Sequence, residues 1–236
     1  MADIRETTIQ YPGDGITLMA YVAAPVTKEK RPAIIIAQEW WGLVEHIKDI
    51  ARRFAREGYF AIAPDLYSRL GHVVTTDASE AGAFMNRLAQ EDGLKDLQAT
   101  VTYLKTVPEV DAARLGVTGF CMGGFYALML PCLTSDIKAA VPFYGQVPNP
   151  DTPLRKLGCP VLYFYGEDDG WITKADVQRL AAALKMYQKP GEIKTYPGAT
   201  HAFFNDARKD VYKAAAAKDA WARTVAFFKQ HLVEGR

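Results

Sequence analysis

Gly119-Phe120-Cys121-Met122-Gly123 places a thiol within a G-x-nucleophile-x-G pattern. The preceding run, Arg114 to Thr118, reads as a strand. The residues after it read as a helix reaching about Leu133, with Pro131 positioned to kink or end it early. Strand, sharp glycine-flanked turn and helix together form the context of a nucleophile elbow. The glycines leave room for the turn, and the helix N-terminus offers unpaired N–H groups and partial positive charge. Both favour a thiolate at Cys121 that can attack a carbonyl.

Such a nucleophile needs a base and a group that orients the base. The chain has four histidines. His46 and His231 fall in expected helices and His72 in an expected loop. His201, in Gly198-Ala199-Thr200-His201, follows the last expected strand, where a base belongs in a hydrolase of this architecture. The acidic stretch Gly166-Glu167-Asp168-Asp169 follows the strand ending at Tyr165. The order Cys, Asp, His matches the nucleophile, acid, base order of α/β-hydrolases. Spacing leaves Asp168 and Asp169 as rivals.

Gln38-Glu39-Trp40-Trp41-Gly42 ends an isoleucine-rich strand, where the second oxyanion donor of such a fold lies. The expected donors are the backbone N–H groups of Met122 and Trp40. Glu39 is expected at the mouth of the sheet beside Cys121. A carboxylate there disfavours the thiolate and can keep the thiol protonated until substrate displaces it; an ordinary strand-end carboxylate is the alternative reading.

These residues need a scaffold that brings strand ends together. Arg5 to Tyr11 and Ile16 to Ala24 flank a PGDG turn and read as a hairpin. Ala33 to Ala37 is a short apolar, β-branched run, the pattern of a strand buried on both faces. Val44 to Glu57 has Ile47, Ile50, Ala51 and Phe54 at helical spacing, and Tyr59 to Ala63 is a further strand. Tyr67 to Asp77 reads as a surface loop, and Ala78 to Thr106 as helical with a break near Gly93. Strands follow at Ile137 to Phe143, Val161 to Tyr165 and Glu192 to Tyr196, with helices at Lys174 to Tyr187 and Ala207 to Leu232. Alternation of this kind predicts a single α/β domain over residues 1–236: an α/β-hydrolase fold, mainly parallel, with helices on both faces and an N-terminal antiparallel hairpin. The four candidate segments all fall where strands end, the ligand-binding edge of open α/β sheets.

Composition narrows the function. The 236 residues are 49% hydrophobic and 23% charged, which suits a packed core and not a disordered chain. Lys plus Arg is 28 against 27 for Asp plus Glu, so the basic excess of a nucleic-acid binder is missing. The longest apolar stretch, Phe125 to Leu133, is well short of the roughly 20 residues of a membrane span. Three cysteines without a CxxC pair predict no disulfide framework, no metal site and a reducing, cytoplasmic location; the polar start MADIRETTIQ predicts no signal peptide.

QEWWG (Gln38 to Gly42), APDLYSR (Ala63 to Arg69), GFCMGG (Gly119 to Gly124), GEDD (Gly166 to Asp169) and GATHAF (Gly198 to Phe203) together resemble the dienelactone hydrolase family of α/β-hydrolases over nearly the whole chain. The resemblance implies a Cys121, Asp169, His201 triad, the family's G-x-x-D spacing selecting Asp169, with Glu39 as the glutamate that holds the resting thiol. It also implies enol-lactone hydrolysis in aromatic degradation, no cofactor or metal, and a cytoplasmic monomer or weak dimer.

The family's type enzymes clamp a substrate carboxylate with two arginines. Here the second position is Asn205, the first region offers only Arg69 and Arg87, and Arg208 lies three residues late. A neutral amide is a poor substitute for a bidentate arginine. Aromatic candidates for the pocket are Trp40, Trp41, Phe84, Tyr144, Trp171, Phe203 and Phe204, about half of which are expected to line it. The expected substrate is a neutral or aromatic small-molecule ester or lactone, with no nucleic-acid or membrane partner. The alternatives are a true dienelactone hydrolase, a promiscuous hydrolase that also takes activated phosphoesters, and a redox sensor using Cys121.

Overall fold

The computed structural model describes residues 3–234. Its strands are β1 (Ile4–Pro12), β2 (Thr17–Pro25), β3 (Arg31–Ala37), β4 (Phe60–Pro64), β5 (Val110–Phe120), β6 (Ile137–Phe143), β7 (Val161–Gly166) and β8 (Gly191–Tyr196). The helices are α1 (Glu45–Arg56), α2 (Ala78–Arg87), α3 (Gln90–Leu104), α4 (Met122–Met129), α5 (Lys174–Met186) and α6 (Ala214–Lys229). The strands form one sheet in the order β1-β2-β4-β3-β5-β6-β7-β8. β1 and β2 form the antiparallel hairpin, β2 joins β4 antiparallel, and every pairing from β4 to β8 is parallel.

Alternation along β3 shows how the sheet is covered. Ile35 and Ala37 face a core with residues of α3, α4 and α5, while Ile34 and Ile36 face a second core with α1 and α6. Successive side chains of a strand point to opposite faces, so a strand covered on both sides must be apolar throughout. Helix α1 buries Ile47, Ile50, Ala51 and Phe54, one stripe at helical spacing. Helix α4 is buried at every position, which its Met, Gly, Phe, Tyr, Ala and Leu composition permits. Pro131 closes it: the chain passes into a 3₁₀ turn at Leu130–Cys132.

Two helix boundaries depart from expectation. The break between α2 and α3 falls at Leu88 and Ala89, both extended, not at Gly93. Gly93 lies within α3 because Tyr126 packs against it: a Cβ there would stand 2.5 Å from the Tyr126 hydroxyl. The last helix begins at Ala214 instead of Ala207. The preceding residues form turns because Asp206 is drawn to His46 and Arg53 of α1, and the Asn205 side chain accepts from the Ala207 N–H. The loop expected at Tyr67 to Asp77 contains a 3₁₀ turn, Ser68–Leu70, and is fastened to the β3 loop by Thr75 N–H donating to the Trp41 carbonyl at 3.1 Å.

No helix among the described residues is long and apolar enough to cross a membrane.

Candidate active site

Cys121 sits between β5 and α4 with φ 55° and ψ −117°, a conformation L-residues avoid. The turn is held by Cys121 N–H donating to the Phe143 carbonyl (3.1 Å) and Gly124 N–H to the Cys121 carbonyl (2.9 Å). It is tight enough that α4 touches the sheet through backbone. A Cβ on Gly119 would stand 2.0 Å from the Gly123 carbonyl oxygen, and one on Gly123 would stand 2.1 Å from that of Ala37. Met122 is the first residue of α4, so its N–H is one of the helix's unpaired first donors.

The loops after β7 and β8 are joined to each other. Asp168 N–H donates to the Ala199 carbonyl at 2.9 Å and Glu167 N–H to that of Tyr196 at 3.0 Å. This brings Asp169 Oδ2 within 2.8 Å of His201 Nδ1. Asp169 Oδ1 accepts from the backbone N–H groups of Trp171 (2.8 Å) and Ile172 (2.9 Å), which fixes the carboxylate. Asp169 is buried, whereas its rival Asp168 is exposed.

His201 is largely buried, and its Nε2 has no protein hydrogen-bond partner. Burial alone lowers its pKa, but the Asp169 hydrogen bond, then Cys121, outweigh it, and the ring is pushed up from 6.5 to about 10. The Trp171 ring stacks on His201 at 5.5 Å and 21°, and the Tyr144 ring meets it edge-on at 5.1 Å.

Glu39 is buried, with Oε2 accepting from Asn205 Nδ2 at 2.7 Å and Oε1 without a partner. Tyr144 stands beside it at φ 39°, with a buried, unpartnered hydroxyl. Burial, then Glu39 and Cys121, push the Tyr144 phenol well above its ordinary pKa. Tyr144 is thus near enough to Glu39 and Cys121 to feel both, and it lines the same cavity as Cys121. Tyr67, not singled out from the sequence, links the loop after β3 to the start of α4: its hydroxyl donates to the Trp40 carbonyl at 2.9 Å and lies 3.7 Å from the Met122 sulfur. Only its place in the APDLYSR segment pointed to it.

A cavity of about 540 Å³ opens onto Cys121, Met122, Tyr144, Trp171 and His201. The remaining aromatic candidates lie elsewhere. Phe203 and Phe204 are core residues, packed against Tyr196 and between Phe120, Phe143 and Trp221 respectively. Trp41 lies under Arg208, and Phe84 packs against Tyr67. Trp40 meets Trp41 and Trp171 edge-on.

The three candidate arginines are engaged away from the cavity. Arg69 grips the buried Asp96 in a two-pronged contact at 2.7 and 2.9 Å, burial holding that carboxyl above the ordinary range despite the arginine. Arg87 lies 5.4 Å over the Phe84 ring. Arg208 pairs with Asp210 and covers Trp41 at 5.7 Å.

A family model for the dienelactone hydrolase family matches residues 18–232. A Synechocystis sp. protein, "Putative carboxymethylenebutenolidase", is 35% identical over 244 residues and covers 98% of each chain. A Bradyrhizobium sp. protein, "Probable 2-oxo-3-(5-oxofuran-2-ylidene)propanoate lactonase", is 33% identical over 93% of this chain and 92% of its own. The crystal structure of a Klebsiella pneumoniae "Putative Dienelactone Hydrolase" is similar with a TM-score of 0.90 and 33% identity, over 97% of this chain and 100% of that one.

Proposed function

This chain belongs to the dienelactone hydrolase family and is an ester or lactone hydrolase, and we propose that it acts through Cys121, His201 and Asp169. One observation carries the reading. Asp169 holds one nitrogen of His201 at 2.8 Å, while the other, unpartnered, belongs to a ring that lines the same cavity as Cys121. A charged imidazole beside sulfur, at the head of a helix, is the arrangement a thiolate nucleophile needs.

In this mechanism the Cys121 thiolate attacks the ester or lactone carbonyl. The N–H groups of Met122 and Trp40 take the oxyanion. The tetrahedral adduct collapses to a thioester as His201 gives its proton to the leaving alkoxide. His201 then removes a proton from water, whose attack releases the acid and restores the thiolate and imidazolium. Asp169 keeps the ring oriented throughout. Glu39, held by Asn205, opposes the negative charge on sulfur in the resting enzyme until substrate fills the cavity. The continuous sheet supports a single domain over residues 1–236, and no metal or cofactor enters any step.

The substrate favoured is a neutral ester or lactone, acting without a nucleic-acid partner. Arg69, Arg87 and Arg208 are committed elsewhere, and Asn205 is spent on Glu39. The lactonase name of the Bradyrhizobium relative fits the reaction type. The test compares p-nitrophenyl acetate, a neutral lactone and a cis-dienelactone with purified protein. Turnover of the first two above the third is expected; a strong preference for the carboxylate-bearing dienelactone overturns the substrate reading.

The His201–Asp169 contact also predicts a pH effect. Below about pH 6.5 the ring is charged whether the chain is folded or not, and its attraction to Asp169 stabilises the fold in full. That contribution is lost as pH rises from there toward about 10, where the folded ring gives up its proton. Asp169→Asn retains an Oδ1 acceptor for the Trp171 and Ile172 N–H groups but loses the charge facing His201. Urea unfolding at pH 6 and pH 9 is expected to show a smaller decline in this variant than in wild type. An equal decline in both proteins overturns the assignment of the shift to Asp169.

A further inference from the structure

The cavity onto which Cys121 opens is lined by more than the candidate triad. Phe125, Ile172, Gln146, Asp176 and Arg179 also face it. Arg179 is the one cation besides His201 among the described residues lining it. Its Nη1 donates to Asp176 Oδ1 at 2.9 Å and its Nη2 to the Val147 carbonyl at 3.2 Å, and its Nε is buried with no partner. A guanidinium carries five N–H donors in a fixed fork, so this one is held in place with much of its donor capacity unspent.

Asp176 cannot take up the remainder. Its Oδ2 is bound by the backbone N–H of Thr173 at 2.9 Å and by the Thr173 hydroxyl at 2.7 Å, in the capping box that starts α5. The carboxylate is therefore pinned, and burial's upward pull on it is outweighed, the Thr173 hydroxyl being the first cause, so that it titrates below the ordinary range. The pair it forms with Arg179 has no net charge. A second carboxylate arriving at the guanidinium would be repelled by the charge of Asp176, whereas a neutral acceptor carries no charge for Asp176 to repel.

We propose that Arg179 is a specificity-determining residue that binds a second, uncharged carbonyl of the substrate, a ketone, amide or ester oxygen remote from the bond that is cleaved. The inference rests on the hydrolase reading above and deepens it: the substrate is a neutral ester or lactone with one carbonyl at Cys121 and another acceptor along the same chain.

The test uses p-nitrophenyl heptanoate, its 4-oxo, 5-oxo and 6-oxo derivatives, and the monoanionic p-nitrophenyl adipate, which matches the 6-oxo ester in length. Wild type, Arg179→Met and Arg179→Lys are compared by the ratio of kcat/KM for each substituted ester to that for heptanoate. At least one oxo ester is expected to be favoured about tenfold by wild type, the scale of one hydrogen bond to a charged donor. Arg179→Met should abolish that ratio, and Arg179→Lys, with a point charge in place of the fork, should retain part of it. Oxo esters treated like heptanoate, a preference that survives Arg179→Met, or a preference for the adipate monoanion each overturn the assignment while leaving the hydrolase reading intact. A wild-type protein that hydrolyses none of these esters overturns both.

Discussion

Cys121→Ala is expected to lower kcat/KM toward p-nitrophenyl acetate by about 10⁴-fold or more, because residues of a nucleophilic triad act as a unit and the loss of one removes nearly the whole covalent route. The methyl side chain fits where the thiol was, so the strained turn, the Met122 N–H and the Asp169–His201 contact should all survive. What disappears is the proposed nucleophile. His201→Ala in the same background should add little, since a base with no nucleophile to serve has nothing left to contribute. Intact-mass measurement with a slowly released ester should show an acyl adduct on wild type and none on Cys121→Ala. Activity of Cys121→Ala within tenfold of wild type overturns the thiol mechanism altogether. A wild-type Cys121 that forms a sulfenate or a disulfide with peroxide but turns over no ester would favour the sensor reading instead.

Gly123→Ala is expected to act on the fold and to destabilise it severely. The added methyl carbon would stand 2.1 Å from the Ala37 carbonyl oxygen and 2.5 Å from that of Gln38. Both are backbone atoms at the end of a central strand, so no side chain can turn aside. Relief requires α4 to move off β3, and α4 is buried along its whole length between that strand and its other neighbours. The loss should exceed about 4 kcal/mol, a large part of the 5–15 kcal/mol that holds a typical domain together. Gly170→Ala is the matched control: nothing stands within 4 Å of its added carbon. That variant should unfold in urea within about 0.5 kcal/mol of wild type. A Gly123→Ala protein with a wild-type urea midpoint overturns the argument.

Local signals in the sequence carried much of this arrangement. The hairpin around PGDG, the isoleucine run of β3 and the glycine-flanked Cys121 are each written in a few adjacent residues, and the structure forms a hairpin, a strand and a strained turn there. What was illegible depended on partners distant in sequence. Gly93 looked like a helix breaker because its function, admitting Tyr126 from α4, is invisible along the chain. Phe203 and Phe204 looked like pocket residues because an aromatic that packs the core uses the same alphabet as one that lines a cavity. Arg179 gave no signal, since three residues on from a capping aspartate is an ordinary place for a helical arginine. Strand-end spacing left Asp168 and Asp169 as rivals and the family resemblance chose Asp169; in the structure Asp168 faces solvent and Asp169 faces His201.

The backbone fastening between the loops after β7 and β8 has a mechanical consequence. Because Glu167 and Asp168 are tied to Tyr196 and Ala199, the acid and the imidazole ride on one platform, while the sulfur stands on another, the turn between β5 and α4. Any relative displacement of the two should change the gap between ring and sulfur more than the grip of the carboxylate on the ring. The assembly behaves like a latch with a single moving clearance, and substitutions that tilt either platform should be felt first as altered proton delivery to the leaving group, with the orientation of the ring preserved.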